Sequence, residues 1–141
     1  MNLKSIVFLL LLFILWACGS ADQEKSCASP QVNPNGESDM SLFMRKIAQE
    51  CEINKVNIIN GKPLAFSINP ELILKAKMTK GHTMDSNYIV FAEAFISKFN
   101  ALEKEKEDPK LFYNAFIQNC ISCHNTQCPG PIKRINKLRV K

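Results

Sequence analysis

Three stretches of this chain repeat apolar side chains at the spacing of an α-helix, and none alternates them at the spacing of a strand. Met40, Phe43, Met44, Ile47, Ala48 and Cys51 form one stripe. Tyr88, Phe91, Ala92, Phe95, Phe99 and Leu102 form a second. Phe112, Tyr113, Phe116, Ile117, Cys120, Cys123 and His124 form a third. Each stripe leaves a polar face for solvent, which is the pattern of amphipathic helices around a shared core. The expected fold class is therefore all-α.

Capping and breaking residues set the boundaries. Ser38 or Asp39 caps a helix over 38–60, which Gly61 and Pro63 stop. Asn69-Pro70 opens a shorter second helix with Leu72, Ile73 and Ala76 facing inward, ending near Lys80-Gly81. After a loop from Thr79 to Ser86, a third helix over 86–106 starts from Asp85 or Ser86. Asp108-Pro109 opens a fourth that ends near Asn125, and Pro129-Gly130-Pro131 forbids its continuation. Four helices with short connections predict a four-helix up-down-up-down bundle over residues 37–141, with a basic C-terminal tail.

The N-terminus has another character. Lys4 precedes an apolar run, Ile6 to Trp16, too short for a comfortable membrane span. Leu15-Trp16-Ala17-Cys18 resembles the lipobox of bacterial lipoproteins, which makes residues 1–17 a signal peptide and Cys18 the lipidated residue. Gly19 rather than Asp after the cysteine implies, by the same resemblance, lipid anchoring to the outer membrane of a Gram-negative cell envelope, facing the periplasm. Residues 18–36 are rich in Ser, Ala, Asn, Pro and Gly without apolar period, and read as a flexible tether.

The chemistry concentrates in Cys120-Ile121-Ser122-Cys123-His124. This is C-x-x-C-H, the pattern of covalent c-type haem attachment. Cys120 and Cys123 supply two thioethers to the porphyrin vinyl groups, and His124 is placed as proximal iron ligand. At i, i+3 and i+4 the three share one helix face. A zinc site wants a second ligand pair, and only Cys128 follows nearby. A thioredoxin-like pair wants a βαβ context, and none is seen.

A haem motif in the last of four helices resembles class II cytochromes c, the cytochrome c prime group and its low-spin relatives. The run Cys120 to Pro131, with Ser41-Leu42-Phe43-Met44-Arg45 ahead of it, also resembles a subgroup of small haem lipoproteins. The resemblance covers about residues 38–126 and implies one heme c. It implies two behaviours set by the sixth iron position. A methionine from the first helix gives a low-spin electron carrier; an apolar residue gives a five-coordinate haem that binds nitric oxide or carbon monoxide. Met44 lies roughly 9 Å along the first helix, at the height of His124 in an up-down bundle. It is the preferred distal ligand, with no protein ligand, His82, Met78, Met84 and Met40 as alternatives. Core filling is the ordinary use of each methionine. Members of class II often form homodimers, and the resemblance implies the same option here.

No nucleophile or acid–base constellation stands out, so the expectation is a non-enzymatic, membrane-tethered carrier of single electrons between redox protein partners. A gas-binding haem protein and a haem-free structural lipoprotein are the competing readings. The formal charge is +5, and Lys133, Arg134, Lys137, Arg139 and Lys141 cluster in the tail. Outside the cytoplasm this does not point to nucleic acid. It reads as a solvated basic end or as a steering patch for an acidic partner. Of the remaining cysteines, Cys27 and Cys128 fall at the same end of such a bundle, and Cys51 falls on the buried stripe. The expectation is a Cys27–Cys128 disulfide with Cys51 reduced.

Overall fold

The computed structural model describes residues 37–104 and 107–141. The signal peptide, the tether, Cys18 and Cys27 lie outside the described residues. Among the described residues every regular element is helical: α1 (Asp39–Ile59), a 3₁₀ turn (Pro70–Leu74), α2 (Ser86–Lys104), α3 (Pro109–Gln127) and α4 (Ile132–Lys137). None of these helices is long and apolar enough to cross a membrane.

Local chemistry explains each boundary. Ser38 and Ser41 form a reciprocal capping box, each side-chain oxygen accepting the other's backbone N–H at 3.0 and 3.1 Å. At the far end of α1, Lys62 N–H donates to the Asn57 carbonyl and Gly61 N–H to that of Ile58. This Schellman closure needs the left-handed φ of +64° that Gly61 adopts. Asp85 and Asp108 cap α2 and α3 by accepting from Tyr88 N–H and Leu111 N–H.

The segment after α1 is extended and held by two polar side chains inside the α1 stripe. Asn54, fully buried, accepts from Ala65 N–H and donates to the Ala65 carbonyl, both at 2.7 Å, imitating a strand partner. One turn earlier, the Glu50 carboxylate accepts from the Ser67 N–H and hydroxyl. These contacts seat Phe66 edge-on to Phe99, with ring centroids 5.2 Å apart. Phe43, Phe95, Phe99 and Phe116 complete the aromatic centre.

The expected second helix is only the 3₁₀ turn. Asn69 and Pro70 start it as read from the sequence, but Tyr88 captures the Ile73 carbonyl at 2.6 Å, and the chain leaves toward α1, where Met40 N–H donates to the Lys77 carbonyl. The tertiary bonds outcompete continuation of a helix with few residues to propagate it. α2 and α3 pack side by side and antiparallel: Phe95 and Phe99 meet Phe116 midway, and Gln127 at the end of α3 donates to Asp85 at the start of α2.

The basic tail is not a loose solvated end. Its cations are largely outward, but Ile135, Leu138 and Val140 are buried. Asn114 clamps Val140 as Asn54 clamps Ala65, donating to its carbonyl at 2.9 Å and accepting its N–H at 3.0 Å. Lys55 and Lys110 donate to the Lys137 and Lys141 carbonyls, and Arg134 pairs with Glu52 at 3.0 Å.

Asn54→Ala removes a buried clamp and leaves both Ala65 backbone groups without this partner. It should lower unfolding stability by about 2–3 kcal/mol, read as a shift in the urea midpoint at unchanged slope. A loss below about 0.5 kcal/mol, within the range of ordinary surface substitutions, would show that water replaces the clamp.

Candidate functional site

Between α1 and α3 the side chains leave a cavity of about 360 Å³, within the range of cofactor and small-molecule sites. The α3 wall carries Cys120, Cys123 and His124, turned inward together by their i, i+3, i+4 spacing. The α1 wall carries Met40, Met44, Ile47, Ala48 and Cys51. From Met40 to Cys51 is eleven helical steps, so the slot runs roughly 16 Å along the helix. Phe91 and Phe95 of α2 line one side, Ile135 and Leu138 of the tail another, and Met78 and His82 reach it from the loop. Gly81, at φ +88°, makes the turn in which His82 N–H donates to the Thr79 carbonyl. The Ser38–Thr79 hydroxyl contact at 2.7 Å ties that loop to the start of α1.

The His124 ring has one nitrogen committed. Its Nδ1 lies 2.9 Å from the Cys128 carbonyl. A carbonyl only accepts, so Nδ1 carries the proton and Nε2 keeps its lone pair. This is how a metal-ligating histidine is held in orientation by its surroundings. The same carbonyl belongs to the residue that ends α3, where Cys128 N–H donates to the His124 carbonyl.

Four free thiols line the slot: Cys51, Cys120, Cys123 and Cys128. Burial pushes the Cys120 thiol up to about 12, with Cys123 beside it adding to the rise. Burial pushes Cys123 up to about 11, with Cys128 adding. Cys51 is raised well above the ordinary thiol range, first by burial and then by Cys120 and Glu50. All three are neutral thiols at physiological pH. Tyr88, against the same end, is raised to about 12, chiefly by burial. Among the described residues the buried Asn119 Nδ2 has no hydrogen-bond partner.

The structure thus brings Cys120, Cys123, His124 and Met44 to one cavity, with Met40, Met78 and His82 also on its lining. Met84 packs against the core instead. Cys51 is fully buried with a free thiol. Cys128 also carries a free thiol, and its expected disulfide partner Cys27 falls outside the described residues. Sequence reasoning missed Asn119 and the tail's part in the wall. Ile132, Ile135 and Leu138 recur every third residue and carried that signal, but the surrounding cations masked it.

A c-type haem fits this lining. Two thiols and an imidazole with a free Nε2 share one wall, thioethers face the same space, the remainder is mostly apolar, and Asn119 offers an unused donor. Comparison of the chain with protein-family models, with curated proteins and with solved structures yields no match.

In the haem-free folded chain, Cys51 should react with iodoacetamide at pH 8 at least about 100-fold more slowly than in urea, because the thiolate is the nucleophile and burial disfavours it. Reaction should accelerate as pH rises, since more thiolate forms. Peptide mapping by mass spectrometry reads this; equal rates in buffer and urea would mean that the α1 wall opens freely.

Proposed function

We propose that this chain is a monohaem c-type cytochrome of the cell envelope, carrying single electrons while tethered through lipidated Cys18. The observation that carries the reading is the convergence of Cys120, Cys123 and His124 on one apolar cavity, with the His124 tautomer set by the Cys128 carbonyl. When bound, a haem supplies a one-electron couple at its iron. In this proposal the bundle carries it on the last long helix. Cys120 and Cys123 hold it by thioethers, so that it survives export and dilution. His124 Nε2 ligates from the α3 side, and its Nδ1–H donation to a carbonyl raises the basicity of the ligating nitrogen. Met44 ligates from the α1 side, where a thioether favours the reduced state. The mostly apolar lining would limit water at a bound cofactor. No residue of the site is assigned a catalytic role.

A second reading has its own support. The α1 wall also presents Ile47 and Ala48, which offer no ligand. An apolar group opposite the iron leaves a five-coordinate haem open to nitric oxide or carbon monoxide. A haem-free structural lipoprotein gives no use to the cavity or to its sulfur-rich lining.

Absorption spectra of protein matured in an exporting host separate the readings. A low-spin spectrum with an iron–methionine charge-transfer band supports the carrier. A high-spin spectrum that shifts with carbon monoxide supports the gas binder, and absence of haem removes both. Met44→Ala should convert the low-spin spectrum to a high-spin, carbon monoxide-accessible one and lower the potential. If the low-spin spectrum persists in Met44→Ala and is lost in Met78→Ala or His82→Ala, the distal ligand comes from the loop. Cys123→Ala should leave at most one thioether and reduce holoprotein yield. Haem retained at wild-type level under denaturing electrophoresis would reject the attachment assignment.

A further inference from the structure

The tail has two faces with different properties. Its inner face closes the cavity through Ile135 and Leu138. Its outer face gathers cations: Lys133 and Lys137 are exposed one helical turn apart, and Arg139 follows. Lys55 from α1 and Lys110 from α3 are drawn to the same segment by its carbonyls. Arg134 is neutralised by Glu52, but among the described residues Lys133 and Lys137 have no carboxylate within ion-pairing distance. A basic end left in solvent needs no fixed position. This one is held by the Asn114 clamp on Val140 and by Lys55 on the Lys137 carbonyl.

We propose that the outer face of α4 and the residues after it form the docking surface for an acidic redox protein, exchanging one electron with the cofactor through the α4 wall. The inference rests on the carrier reading. One partner is oxidised by one electron and the other reduced by one. The cation-bearing surface lies on the far side of α4 from the cavity, a single helix thickness of roughly 10 Å. Complementary charge steers encounter and sets orientation, and it does so within a Debye length. An anionic bilayer is the poorer occupant. Interfacial binding needs exposed apolar groups beside the cations, and here Ile135, Leu138 and Val140 are already buried in the protein.

The test uses the full-length holoprotein, reduced and then mixed with anionic hexacyanoferrate(III) or with cationic tris(phenanthroline)cobalt(III) in stopped flow. The variant Lys133→Glu/Lys137→Glu is compared with Lys62→Glu/Lys98→Glu, which changes net charge equally at exposed sites elsewhere. The tail variant should slow oxidation by hexacyanoferrate about tenfold at low ionic strength, speed oxidation by the cobalt complex, and match wild type at high salt. The control pair should change either rate less than twofold. Equal effects of the two pairs, or none, overturn the proposal. Binding of wild type to phosphatidylglycerol vesicles that depends on Lys133 and Lys137, with oxidation rates unchanged in the tail variant, also overturns it and makes the patch a membrane face. A purified chain without haem absorption fails the carrier reading itself, and the inference with it.

Discussion

The hydroxyl of Tyr113 lies 2.8 Å from the Cys51 carbonyl of α1 and 3.2 Å from the Leu138 carbonyl of the tail. One proton serves two acceptors on two segments that approach α3 separately. Both carbonyls are buried, so neither can turn to water without leaving the core. Phe116, one turn further along α3 toward Cys120, sits among Phe66, Phe95 and Phe99. Cys51 and Leu138 both line the cavity, so the phenol holds two segments of its wall against α3. Burial raises the pKa of this phenol well above the usual phenol range. It acts as a neutral donor, because an ionised oxygen facing two carbonyls would have nothing to accept from.

Two asparagines extend the same logic to segments without regular structure. Asn54 clamps Ala65, and Asn114 clamps Val140, each through one accepted and one donated bond. An amide side chain presents the donor and acceptor of a strand's edge in one group. Extended chain can therefore pack against a helix without leaving its backbone polar groups unpaired. The first clamp delivers Phe66 to the aromatic centre. The second brings the tail across α3, so that Leu138 reaches both Tyr113 and the slot. A chain of this size has a modest core, and these two inserted polar contacts add Phe66, Leu138 and Val140 to its packing.

The long helices were legible because periodicity, caps and breakers agree. The sequence reading placed α1 at 38–60, and it spans Asp39–Ile59; the Asp108-Pro109 start of α3 was likewise readable. The grouping of Cys120, Cys123 and His124 on one face followed from spacing alone. What was not legible depended on partners distant in sequence. The second helix reduces to a 3₁₀ turn because Tyr88, fifteen residues on, takes the Ile73 carbonyl. Glu50 and Asn54 blurred the end of the α1 stripe, and only the structure gives them a task. In the tail, apolar residues at every third position were present, yet five cations in thirteen residues outweighed them in the reading.

The distribution of side chains around the slot bears on why its walls differ. The α2–α3 pair is joined by phenylalanine rings at centroid distances of 5.2 and 5.9 Å, a stiff surface whose parts cannot shift independently. On the facing side the lining turns to Met40, Met44 and Met78, unbranched side chains that refill irregular space. Cys120, Cys123 and His124 sit on the stiff wall, where the proposed two thioethers and one ligand would have to share a geometry. The adjustable side chains sit opposite, where under the proposed reading a thioether would only have to reach across the cavity. The loop that bears Met78 and His82 joins that adjustable side through Met40 N–H to the Lys77 carbonyl and through Ser38 to Thr79. These two bonds hold the start of α1 and the loop together, so under the proposed reading a choice of distal group between Met44 and Met78 or His82 would be one of side-chain reach rather than of rearrangement of the fold.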